Sequence, residues 1–71
     1  MSKFFKVPAA IEKETEKAIL DENLGWLPKS KIEITEEKDN NGVRWMEIPA
    51  WLIRSKGIPQ YAMKNALVVI K

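Results

Sequence analysis

The 71-residue sequence predicts an α+β fold: a small, curved, barrel-like antiparallel β-sheet with one short helix, formed by residues 1–71 as a single domain. Three observations carry this. "KIEITEE", at 31–37, alternates apolar and polar residues, with Ile32 and Ile34 on one face, as a half-buried strand does. "KDNNG", at 38–42, offers Asn41-Gly42 for a hairpin loop, and "VRWMEI" follows as the returning strand. "IPAWLIRSKGI" has a helix start at Pro49 and a stop at Gly57, with Ile58 as the hydrophobic follower and Pro59 barring continuation.

The other elements follow in chain order. "KFFKV", at 3–7, is a short β-prone run that Pro8 interrupts. Residues 9–23 read two ways. Their Ala, Glu and Lys content favours helix, but their apolar positions are sparse for an amphipathic one. As a strand, Ala18 and Leu20 face one way and Ile19 the other. Asn23 and Gly25 signal a turn, and Pro28 biases Leu27 toward extended backbone. Here "GWLPKS" reads as architecture, with Trp26 covering the core and Lys29 and Lys31 pointing outward. In "VRWMEI", Val43, Trp45 and Glu47 share one face, and Arg44, Met46 and Ile48 the other. Trp51, Leu52 and Ser55 are expected on the inner stripe of a helix over 49–56, and Trp45 and Trp51 in the core. "LVVI", at 67–70, reads as a strand that completes the sheet; the alternative is a pairing surface for another chain.

Size and composition narrow the function. A domain this small buries only about 60% of its unfolded surface, so dimerisation is a ready source of stability. The expected radius of gyration is roughly 11 Å. There is no Cys and no His, which removes disulfides, thiolate metal sites and the commonest general base. The N-terminal residues lack the apolar core of a signal peptide, and no window reaches the roughly 20 apolar residues of a spanning helix. The expected compartment is the cytosol of a host cell, with no membrane partner. Net charge is +2 but uneven: nine acids against five lysines in residues 11–39, five basic residues against Glu47 in 43–71, and Lys3 and Lys6 at the start. Such polarity orients partners.

Residues Glu14 to Leu20, Trp26 to Ser30, Ile32, Ile34, Ile48, Pro49, Trp51, Leu52, Lys56 and Gly57 form a recognisable series. It runs from an "ETEKAIL" segment through a Trp-aliphatic-Pro-Lys-Ser turn and an alternating strand to a closing "IP-x-WL…KG" helix. Over roughly residues 14–58 the chain resembles a group of small, mostly uncharacterised phage and prophage proteins. The resemblance implies that "TEKAILDE" is a strand paired with the Trp26 segment. It also implies a setting among phage replication and recombination genes, and it brings no catalytic residues. The tail after Gly57 departs from the pattern.

No nucleophile, phosphate-binding or calcium-loop motif is present, so the reading is of a non-enzyme without cofactor or metal. Two binding readings remain. In the first, a phage or mobile-element accessory protein binds nucleic acid or a nucleoprotein through Lys29, Lys31, Arg44, Arg54 and Trp26. Aromatic faces stack on unpaired bases while cations follow the phosphates. Phe4 and Phe5 beside Lys3 and Lys6, Trp45 beside Arg44 and Trp51 near Arg54 share this interleaving. In the second, a small inhibitor binds a host protein through an acidic face of Glu33, Glu36, Glu37 and Asp39. Either form is compatible with a homodimer.

Overall fold

A computed structural model describes residues 2–35, 38–59, 63, 64 and 66–71. Glu36 and Glu37, expected in the acidic face, lie outside the described residues. The chain runs β1 (Lys3–Pro8), β2 (Ile11–Glu14), β3 (Ala18–Asp21), β4 (Gly25–Pro28), a 3-10 turn (Lys29–Lys31), β5 (Glu33–Ile34), β6 (Trp45–Pro49), α1 (Ala50–Ser55) and β7 (Leu67–Ile70). Its radius of gyration is 11.6 Å.

The strands form two antiparallel sheets where one barrel-like sheet was expected. One has the order β5-β6-β1-β7, the other β2-β3-β4, and neither closes into a barrel. Closure requires every strand to pair on both sides. The chain instead leaves the first sheet at Pro8, which has no N–H to extend a ladder. The last rung there is Ala9 N–H donating to the Arg44 carbonyl, at 2.8 Å. Two residues later β2 begins the second sheet.

Residues 18–21 are strand, as the resemblance implied and helix propensity did not. Ala18 to Asp21 pair in register with Pro28 to Gly25. Asp21, only 2% exposed, fixes this hairpin. Its carboxylate accepts N–H bonds from Asn23 at 2.9 Å and Leu24 at 3.0 Å within the turn, and from Ala10 at 3.1 Å on the neighbouring strand side. Gly25 closes the turn at φ +79°, a left-handed conformation that disfavours any residue with a Cβ.

Of the strand expected over 31–37, the described residues 31–35 keep Glu33 and Ile34 as β5, and at Thr35 the side chain takes over the ladder. Thr35 N–H and Oγ1–H both reach the Trp45 carbonyl, and Trp45 N–H donates to Thr35 Oγ1 at 2.9 Å. The Thr35 carbonyl is thereby left to accept Arg44 Nε–H at 3.1 Å. The expected hairpin loop is present. Asp39 Oδ1 accepts from Asn41 and Val43 N–H, and Gly42 has φ +76°.

Helix α1 stops as its sequence predicts. Ile58 N–H reaches the Ile53 carbonyl and Gly57 N–H the Arg54 carbonyl, around Gly57 at φ +73°. This is a Schellman closure. The core lies between the sheets and α1: Phe5, Met46 and Ile48 from the first sheet, Ile19 and Leu27 from the second, with Ile32, Leu52, Ile53 and Met63.

All three tryptophans differ from the expected core role. Trp45 is half-buried, because the period-two alternation of β6 spends its inward positions on Met46 and Ile48. Trp51 is 49% exposed and Ser55 is exposed; Pro49, Leu52 and Ile53, at i, i+3 and i+4, form the inward stripe of α1. Trp26 does not cover the core either. Leu27 points inward and is fully buried, so Trp26 faces out at 47% exposure.

Candidate nucleic-acid interface

The second sheet presents an outward face built around Trp26. Directly paired residues on antiparallel strands share a face. Trp26 pairs with Leu20, and Leu20 with Lys13, so Lys13, Leu20 and Trp26 make one row across three strands. Ala18 and Pro28 form the adjacent rung. Lys13 and Trp26 are exposed and Leu20 half-buried. The row therefore offers an indole plane, an aliphatic floor and a cation.

Two other lysines, Lys56 and Lys29, border it. Lys56, at the end of α1, donates from Nζ to the Trp26 carbonyl at 2.6 Å, which fixes the helix end against the β4 edge. Lys29 Nζ pairs with Glu14 Oε2 at 2.6 Å. That bond is the main cause lowering the Glu14 pKa below its ordinary value, and the Arg44 guanidinium adds a weaker pull in the same direction. Among the described residues, Lys29 alone contacts this carboxylate; the Arg44 guanidinium is tied to the Thr35 carbonyl. Lys31 lies exposed in the 3-10 turn, and Arg54 is exposed in the last turn of α1.

Of the acidic residues of the alternative surface, the two that are described, Glu33 and Asp39, are engaged within the chain. Asp39 Oδ2 accepts from the Trp45 indole Nε1–H at 2.8 Å, and this bond leads in holding the Asp39 pKa down. Glu33 opposes Glu47 across the β5–β6 ladder. Lys71 relieves that like-charge pairing by contacting both, Glu33 Oε2 in a short ion pair and Glu47 Oε1 at 2.8 Å. Glu47 Oε1 is otherwise without a hydrogen-bond partner among the described residues. The two acids raise the Lys71 pKa, Glu33 most strongly.

Much of the basic–aromatic interleaving in the sequence is spent internally. Lys3 lies 5.1 Å from the Phe5 ring centroid, Lys6 5.9 Å from Trp45 and Lys71 5.0 Å from Phe4. Among the described residues, Trp26 and Trp51 have no such cation over the ring. Sequence reasoning missed Lys13 and Lys56. Strict alternation from the core-packed Ile11 puts Lys13 on the inner face; a register shift between Ile11 and Lys13 turns it into the row of Trp26, and nothing in the sequence signals that shift.

A cavity of about 490 Å³ lies between the end of β1 and the β3–β4 turn, lined by Val7, Pro8, Ala10, Asp21, Leu24 and Met63 among others. Its one carboxylate is consumed by backbone N–H groups. Among the described residues, no helix is long and apolar enough to cross a membrane. No protein-family model, curated protein or solved structure matches the chain.

Proposed function

We propose that this chain is a non-catalytic accessory protein of a phage or mobile element that binds single-stranded nucleic acid on the outer face of its three-stranded sheet. The observation that carries the reading is the exposed Trp26 in register with Leu20 and Lys13. An indole on a flat sheet stacks on an unpaired base, and lysines beside it follow the phosphates. A duplex buries its base faces and offers such a ring nothing to stack on.

The charge of the region is mixed, and four of its acids are engaged within the chain. The excess of acids in residues 11–39 would repel phosphate if all were free. Glu14 is neutralised by Lys29 and Glu33 by Lys71, Asp21 is buried, and Asp39 is tied to Trp45. Lys13, Lys31 and Arg54 remain exposed, as do Glu12, Glu16 and Glu22.

The test is a titration of fluorescent single- and double-stranded oligonucleotides, following anisotropy and Trp quenching at low and physiological salt. Single strands are expected to bind with quenching and to weaken steeply with salt. Trp26→Ala is expected to lose about 1–3 kcal/mol, the contribution of one base–aromatic stack and a roughly 5- to 150-fold drop in affinity. Trp51→Ala, in the same titration, is expected to change little. Absence of binding at low salt, or indifference to Trp26→Ala, sinks the proposal and turns attention to capture of a host protein.

A further inference from the structure

Strand β7 has one ladder neighbour among the described residues, and its composition is unusual for an edge. It pairs with β1 through Lys3↔Ile70, Phe4↔Val69, Phe5↔Val68 and Lys6↔Leu67, and ends the order β5-β6-β1-β7. All four residues are apolar, and Leu67, Val68 and Ile70 are 58%, 53% and 56% exposed. Edges are normally blunted by charge, proline or a bulge; β7 has none of these.

The hydrogen-bond parity says which groups face outward. Ser2 and Lys71 exchange both backbone bonds, at 2.6 and 2.8 Å. In an antiparallel ladder such pairs alternate with non-bonded ones. The N–H and C=O of Lys71, Val69 and Leu67 therefore point at β1, and those of Val68 and Ile70 point to the open edge.

We propose that this edge pairs with the β7 of a second copy, antiparallel, about a two-fold axis at Val69. Val68 of each copy then faces Ile70 of the other. Every outward N–H and C=O of the two strands is paired, in four hydrogen bonds across the seam. Pairing centred on Val68 would leave the Ile70 carbonyl unmet and call on Ala66 N–H, which already donates to the Met63 carbonyl at 2.9 Å. The side chains agree with the Val69 register. On one face the row Pro49, Phe4, Val69 meets its own symmetry mate, apolar against apolar. On the other, Phe5 and Val68 meet Ile70 and Lys3. The two Lys71 residues lie roughly 13 Å apart along the strands, four residues at about 3.3 Å each. That exceeds the screening length of about 10 Å at 0.1 M salt. A strand of the same chain thus satisfies the edge and keeps the two Lys71 charges apart, each falling opposite Leu67 of the other copy. The product is one continuous sheet with four strands from each copy, which adds buried area to a domain short of it.

Register-specific cross-linking decides the proposal. At Val69 the two copies form a non-bonded pair with Cα atoms about 4.5 Å apart, within disulfide reach. At Val68 the symmetry-related Cα atoms are about 8 Å apart by strand geometry, beyond it. Val69→Cys and Val68→Cys are each oxidised with glutathione disulfide, which takes up the electrons as each inter-chain disulfide forms. Val69→Cys is expected to give a covalent dimer at least tenfold faster. Sedimentation velocity of the unmodified chain, from micromolar to millimolar, is expected to show mass rising toward twice the monomer. Val68→Pro removes an outward N–H and leaves the β1 ladder intact, so it is expected to remain folded by circular dichroism and monomeric. Monomer at every concentration, or cross-linking no faster at position 69 than at 68, overturns the proposal, and the cysteine pair decides it even if Val68→Pro does not fold.

Discussion

Strands β4 and β7 each end a sheet, and they meet solvent in opposite ways. On β4 the outward Trp26 carbonyl accepts Lys56 Nζ–H, Pro28 supplies no donor, and the strand hands over at once to a 3-10 turn. On β7 the outward backbone groups have no such cover among the described residues, and apolar side chains stand on both faces. The 3.6-residue stripe of α1 ends where Lys56 can reach β4, so one helix both fills the core and closes that edge. The difference teaches that exposure of large apolar residues has two meanings here. At Trp26 it is a single ring beside a backbone carbonyl that Lys56 covers, suited to a flat ligand. Along β7 it accompanies unpaired donors and acceptors, suited to another strand.

Perturbations that break or sharpen this contrast rank by size. The largest effects fall inside the β3–β4 hairpin. Leu27→Ala is expected to lose about 2–5 kcal/mol by transfer and cavity costs. Asp21→Ala, by orphaning buried backbone donors, is expected to lose about 3 kcal/mol. For a domain whose total stability is roughly 4–10 kcal/mol, either approaches unfolding, and urea midpoints with unchanged slopes measure the loss. The matching change on β7, Ile70→Thr, is expected to cost about 0.5 kcal/mol or less at concentrations where the chain is monomeric, as an exposed substitution does.

Lys56→Met tests the cover of the β4 edge. It keeps most of the aliphatic stem and removes the donor to the Trp26 carbonyl, so a loss of about 0.5–1 kcal/mol is expected. Added self-association of this variant in sedimentation would show that the ammonium also guards the edge.

The smallest effects are electrostatic and pH-dependent. Glu14 and Asp39 have folded pKa values below their ordinary ones. Their contributions are present above the ordinary carboxylate range and are lost as pH falls through the lowered folded values. Because Asp39 accepts the Trp45 indole N–H, a change in Trp45 emission is expected in that acidic window, and Asp39→Asn is expected to remove it. Lys71 titrates in the opposite sense. Its raised pKa means a contribution present below the ordinary lysine value and lost as pH rises through the folded one. Denaturation at alkaline pH, compared with Lys71→Met, checks it.

Local chemistry in the sequence was sufficient for the punctuation of the fold. Pro49 and Gly57 bound the helix because one fixes φ and the other accepts the left-handed stop. Asn41-Gly42 makes the loop for the same steric reason, and alternation in β6 places Met46 and Ile48 on one face. Of the candidate residues read from the sequence, Trp26 lies in the proposed row and Lys29 beside it, while Lys31, Arg44 and Arg54 have no polar contact with it among the described residues and Lys13 and Lys56 were not identified. Tertiary structure alone decided that residues 18–21 are strand, since their Ala, Ile and Leu serve either period and only pairing with residues 25–28 chooses. It also decided which aromatics are outside. A 71-residue core has few inward positions, and among the described residues Ile19, Leu27, Met46, Ile48 and Ile53 take the most deeply buried ones, with Phe5, Ile32, Leu52 and Met63 beside them. Trp26 and Trp45, next to Leu27 and Met46, are turned to the opposite face, because neighbours on a strand face opposite ways, and Trp26 is left exposed.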